Sequence, residues 1–283
     1  MNRWEKAQWN AVNKWRAKYI TKYRKRFKRE LDAQIAPVME LIKISSRPED
    51  VASGIRSVMR HDNIIGTFND LYKEVGVEAA RWERDRLVKE EKAYKPNLIT
   101  KADTLPQFEY VWTEGMANYL TQQTATYITS IINTSNNIAT RLVQLTIAQG
   151  IDKGMNLTQI MKLLEDRISV NWRKVGVWRS ELIARTEIVT AQNYGAALGA
   201  RTTAQELGLT LNKRWLAKDE PGRTREAHLA ANGQEVALDE KFSVGGTLMA
   251  QPGDPAGGAD NRCNCRCSVV HVRADGQASF SGR

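Results

Sequence analysis

Cysteine, proline and long apolar runs are all scarce in this chain of 283 residues. The three cysteines crowd into Cys263-x-Cys265-x-Cys267. An odd number with no distant partner excludes a disulfide framework and leaves reduced thiols or metal ligands. No apolar run approaches the roughly 18–20 residues needed to cross a bilayer, so no membrane partner is expected. The opening Met1-Asn2-Arg3-Trp4-Glu5-Lys6 lacks the apolar core of a secretory signal, which predicts a protein made and used in a cytoplasm or in a particle assembled there. A Gly-rich phosphate loop, a nucleophile elbow and a paired metal-binding carboxylate signature are also missing, and these are the usual marks of an enzyme.

Acid is scarce at the N-terminus. Residues 1–30 hold eleven basic and two acidic residues, so +9 of the total net charge of +10 sits there. This is a local feature that faces polyanions, not a generally basic protein. From Arg3 to Ile44 there is no glycine, and Pro37 alone interrupts a helical pattern, with a kink expected near it. Trp15, Tyr19, Tyr23 and Phe27 recur every four residues and form one row on that helix. Lys14, Lys18, Lys22, Arg24, Lys25, Arg26 and Arg29 are the candidate contacts to nucleic acid. Three uses of the row stay open: rings on nucleic acid, rings on a protein partner, or rings in the protein's own core.

Downstream the pattern stays helical. Ser46 reads as a cap before Pro48, and Ile64–Tyr94 reads as one helix. Lys101–Phe108 is a connector. Tyr110–Gln149, with Tyr127 among its apolar positions, is a Thr-rich helical stretch needing tertiary support. Asn156-x-x-Gln159 matches a capping box that opens a short helix, and a separate helix is expected from about Val177 to Leu207, stopped by Gly208. Arg185 and Glu187 on that helix read as a buried ion pair, a catalytic carboxylate or, as the favoured account, a structural Arg anchoring the helix to the C-terminal module.

Nine of the 19 glycines and three of the seven prolines lie beyond residue 220. Strands are expected at Leu209–Leu216, Gln234–Leu238 and Cys267–Val272, with a short helix within Arg223–Ala231. The fold class is therefore α+β, predominantly α. Its expected segments are a basic-aromatic helix over 1–45, a helical body over 46–208, a small α+β module over 209–273 and a frayed tail over 274–283.

Several separated elements of the C-terminal part occur together. They are Ala184-Arg185-Thr186-Glu187, Trp215, Asp219, Arg223-Thr224-Arg225, His228, Gly233, Phe242, Pro252-Gly253-Asp254-Pro255 and Asn264-Cys265-Arg266-Cys267. In this order they resemble the phage head morphogenesis family, the minor capsid proteins related to the F protein of phage Mu. The resemblance does not reach the first half of the chain. It implies a minor head protein at the portal vertex inside the procapsid, in the virion and earlier in the host cytoplasm. Its implied partners are the portal protein, major capsid or scaffold proteins, and double-stranded DNA.

Two thiols in Cys-x-Cys on an extended strand share a face, and with His228 would supply three metal ligands, with Cys263 or an acid as a fourth. Many relatives carry a second cysteine pair upstream, which Arg223–His228 lacks. The expectation is therefore no cofactor, with zinc or a His228-based nuclease as the alternative. In the structural account Arg266 binds backbone carbonyls or Asp219 and Asp254, and the thiols pack as small hydrophobes. No residue is expected to be catalytic.

Overall fold

The computed structural model describes residues 1–59, 62–98, 105–123 and 128–274. Helix α1 (Arg3–Ile44) runs through Pro37 without interruption. It is followed by α2 (Pro48–Val58) and α3 (Asp62–Leu71), then by a π-helical turn at Tyr72–Gly76 that leads into α4 (Val77–Tyr94). Helices α5 (Leu105–Gln123) and α6 (Thr129–Asp152) cover the Thr-rich stretch, and α7 spans Leu157–Leu207. The C-terminal elements are β1 (Leu211–Leu216), α8 (Glu226–Ala230), β2 (Glu235–Ala237), β3 (Phe242–Val244), β4 (Thr247–Met249), α9 (Gly258–Arg262) and β5 (Ser268–Arg273). The class is α+β, mostly α, with long helices first and short antiparallel strands last. Tyr127, residues 101–104 of the expected connector and the tail beyond Ala274 lie outside the described residues, whereas Leu105–Phe108 form the first turn of α5 and not a connector.

Several local expectations change. The separate helices expected on either side of residue 175 are one 51-residue helix, α7, because no proline lies between Leu157 and Leu207. Its capping box forms: Asn156 N donates to Gln159 Oε1 at 2.9 Å and Gln159 N to Asn156 Oδ1 at 3.0 Å. At α2 the N-cap is Arg47, without a side-chain cap, and not Ser46; Pro48 occupies the first turn, where its missing N–H costs nothing. The hairpin β3–β4 had no expected strands. Its turn, Gly245-Gly246, has φ of 56° and 80°, the left-handed pair that a two-residue hairpin requires.

The chain divides into two compact units that are not consecutive in sequence. One comprises Tyr23–Phe68 and Gln123–Ile183. Its core gathers Val38, Ile42, Ile55, Val143, Leu164 and Trp172, with the Trp172 indole N–H donating to Leu31 O at 2.7 Å. Phe27 packs on Phe68 here, ring centroids 4.9 Å apart.

The other unit comprises Met1–Lys22, Asn69–Gln122 and Ala184–Arg283. Its sheet has the order β2-β1-β5, antiparallel throughout, with Lys213 opposite His271 and Trp215 opposite Val269. Strand β5 is buried along nearly its whole length because both faces are covered. On one side Trp9, at the start of α1, packs with Leu216, Val270 and Val272. On the other lie Trp215, Phe242, Met249, Cys267 and Val269. The first residues of the chain thus belong to the same unit as the last strand, whereas a separate segment over 1–45 was expected. Long-range ties explain the difference: Arg214 donates to Glu5 Oε1 at 2.7 Å, and Arg16 reaches the loop before β5.

In this unit α7 also lies very close to the π turn and α4. A Cβ built on Gly195 would fall 2.1 Å from Gly76 O, and one on Gly199 would fall 2.2 Å from Ala80 O. Only glycine permits backbones to approach this closely.

Candidate functional site

Helix α1 presents the first candidate. Neighbouring faces of it carry the two features read from its sequence. Tyr19, Tyr23 and Phe27 are buried at 1%, 0% and 0% exposure, and Trp15 is half-buried with its N–H on Glu78 at 2.7 Å. The row therefore belongs to the protein's own core, and stacking these rings on bases is excluded; apolar surface at helical spacing gains most by leaving water. Lys14, Lys18, Lys22, Arg24, Lys25 and Arg29 are exposed, and Arg26 is half-buried against the Tyr23 ring. Lys22 pairs with Glu74 at 2.6 Å, Arg24 with Glu181 at 4.0 Å and Arg29 with Glu30 at 3.2 Å. Among the described residues, Lys14, Lys18 and Lys25 make no ion pair.

The second candidate is the thiol–histidine cluster. His228 lies on α8, and Cys265 and Cys267 lie on the irregular segment that enters β5, not within the strand. Cys265 Sγ and Cys267 Sγ stand 3.6 Å and 3.4 Å from the same atom, His228 Nδ1. All three residues are buried, at 2%, 2% and 4% exposure in the order His228, Cys265, Cys267. Trp215, fully buried, meets His228 edge-on at 5.7 Å and Phe242 at 5.4 Å. The two thiols pull apart in proton affinity. The hydrogen bond with Cys267, helped by His228, pushes Cys265 well down, and Cys267 is pushed well up by its bond to Cys265 and by burial.

The cation behind this pair carries no mark in the sequence. Arg16, 1% exposed, donates through Nη1 to the carbonyls of Arg266 and Cys267, both at 3.1 Å, and through Nε to Gln192 Oε1 at 3.0 Å. Burial pushes its guanidinium down to about 10, a shift that the two cysteines resist. The carbonyl-binding part assigned to Arg266 is thus played by Arg16. Arg266 is half-buried, and burial with Arg185 and Arg223 nearby lowers its pKa. Asp219 is exposed. Asp254 instead caps backbone, accepting from Ala250 N at 2.6 Å and Ala256 N at 2.9 Å.

Beneath the loop, α7 presents a ladder of buried polar side chains. Glu187, 1% exposed, accepts from Arg262 at 3.0 Å and from Tyr72 OH at 2.8 Å. Thr190 Oγ1 donates to Gly253 O at 3.0 Å, and Asn193 Nδ2 to Pro252 O at 3.0 Å, so the Pro-Gly-Asp-Pro turn is laid on α7 rather than across a strand. Gly253 has φ of 87° and no room for a Cβ beside Thr190. Arg185 Nη1 donates to Asn264 Oδ1 at 2.7 Å. Gly233, with φ of 84°, donates its N–H to Trp215 O at 2.8 Å, and Arg223 is exposed. Arg262 and Tyr72 had no distinguishing sequence signal, since each is an ordinary residue of a helical or loop pattern.

Known proteins resemble part of this chain. The NAD(+)–arginine ADP-ribosyltransferase EFV of Enterococcus faecalis (strain ATCC 700802 / V583) is 29% identical over 140 residues, covering 50% of this chain and 25% of that protein. The chain thus spans a quarter of that relative's length. No solved structure matches. The family described as Phage Mu protein F like protein matches residues 141–270, which take in the α7 ladder, His228, Cys265 and Cys267 but neither Arg16 nor the cationic face of α1. Residues 141–270 are thus similar to the Phage Mu protein F like family.

Proposed function

We propose that this protein is a minor head component of a tailed phage that joins the portal vertex inside the procapsid and aids head assembly and DNA packaging or delivery. The observation that carries this reading is the match of residues 141–270 to the Mu F family. The cationic face of α1 supports it by offering Lys14, Lys18 and Lys25 to phosphates while the rings stay inside. A non-enzymatic role for the C-terminal module is supported by burial. His228 has its neighbours within the core and is 2% exposed, which leaves no approach for a phosphodiester, so the nuclease alternative loses its general base. The transferase activity in the name of the relative belongs to a protein four times as long as the shared part.

The test is co-expression with portal, scaffold and capsid proteins of one phage genome, followed by sedimentation of the particles. The protein is expected in the procapsid fractions only when portal protein is present. Procapsids that exclude it, or incorporation indifferent to portal, would overturn the reading. Incubation of the purified protein with labelled NAD and arginine-rich acceptor proteins is expected to transfer no label.

A further inference from the structure

The head-assembly role makes no use of the chemistry gathered between α8 and β5. The sequence spacing offers three ligands there, and the expectation of no metal rests on the upstream cysteine pair that the family resemblance implies and this chain lacks. The geometry points the other way. We infer that His228, Cys265 and Cys267 hold one zinc ion in a buried site.

Three features carry this. First, an ion bound tetrahedrally at about 2.3 Å from sulfur and about 2.0–2.1 Å from nitrogen holds those atoms roughly 3.6 Å apart. The two Sγ–Nδ1 separations are 3.6 Å and 3.4 Å, and all three ligand atoms lie within 4.8 Å of one another. Second, hydrogen bonding alone leaves the trio unsatisfied. A neutral imidazole nitrogen has one lone pair or one proton, so Nδ1 serves a single thiol, yet two converge on it. One ion placed between them engages all three. Third, the surroundings suit thiolate. The Cys267 N–H points at Cys265 Sγ at 3.4 Å, and the Arg16 guanidinium stands behind on the neighbouring carbonyls. Two thiolates and one divalent ion sum to zero charge, which a site this buried tolerates far better than a lone ion. Zinc is the divalent ion that takes mixed sulfur and imidazole ligands in a tetrahedron. The trio fills three of its four positions.

The full chain, purified under reducing conditions without chelator, is expected to carry one zinc per chain by elemental mass spectrometry. X-ray absorption at the zinc edge is expected to show at least two sulfurs and one imidazole nitrogen. The Cys265→Ser/Cys267→Ser variant is expected to lose the metal. Because that variant risks misfolding, the wild-type protein is also stripped and titrated with Co²⁺. A sulfur-to-cobalt charge-transfer band that saturates at one equivalent, reversed by Zn²⁺ with a rise in Tm, is the expected result. Reduced, folded protein with under a tenth of an equivalent of zinc and no such band overturns the inference, as does stoichiometric metal that stays in the double-serine variant.

Discussion

Single residues hold the C-terminal module together by burial and by paired charge. Trp215 is fully buried between His228 and Phe242, so Trp215→Ala is expected to cost roughly 3–5 kcal/mol in urea unfolding. The Glu187–Arg262 pair behaves differently. Arg262→Met strands a buried carboxylate and is expected to cost about 3–5 kcal/mol, whereas adding Glu187→Gln should recover much of that loss. Trp215 and Glu187 were legible in the sequence through the family pattern. Arg16 and Arg262 were not, because a cation reads as surface until its distant carbonyl or carboxylate partner is known.

Acid sensitivity follows from another buried pair. Burial works to raise the pKa of Glu83, but Arg86 and His271 overcome it and hold it at about 2, while burial holds His271 below its ordinary value despite Glu83. A depressed carboxylate adds stability above its unfolded value of about 4.3 and loses it as pH falls toward 2. A depressed imidazole also favours the unfolded chain once pH drops below about 6.5. Both act in the same direction. Tm by calorimetry is expected to fall below pH 6.5 and more steeply below pH 4.3, and His271→Gln should remove the first step.

At the scale of elements, close helix crossing is the defining contact of the unit that holds the sheet. Gly195 and Gly199 face Gly76 and Ala80, pairs of small residues each four apart on their helices. Gly195→Ala places a methyl against a backbone carbonyl that cannot rotate away, and about 1–3 kcal/mol of destabilisation is expected in urea unfolding. Helix existence was legible throughout, because apolar spacing and the Asn156–Gln159 box are local signals. The length of α7 was less so: its apolar positions read as two helices, one after the Asn156–Gln159 box and one from about Val177, where the chain forms a single helix. The β3–β4 hairpin was missed because three-residue strands carry too few alternations to register, although its Gly-Gly turn was visible.

For the whole molecule, the burial of the aromatic row decides how DNA contact should be tested. Deleting residues 1–30 would remove Trp9 and Arg16 from the sheet unit, so weaker binding would report unfolding. Lys14→Glu/Lys18→Glu/Lys25→Glu leaves the core untouched. It is expected to weaken binding to duplex DNA and to reduce the slope of log K against log salt by about 3, near 0.9 for each phosphate no longer neutralised. Unchanged affinity and slope would assign the face to protein instead.

The anchoring of Arg16 on the carbonyls of Arg266 and Cys267 also has a consequence in time. A ribosome finishes the first turns of α1 long before it reaches β5, and until then Trp9 has no sheet to cover and Arg16 no carbonyls to bind. Chains that stop short of residue 273 therefore keep their N-terminal seat vacant and their apolar stripe in water, ready for proteolysis. The first turns of α1 thus gain this packing only after the final strand has been made.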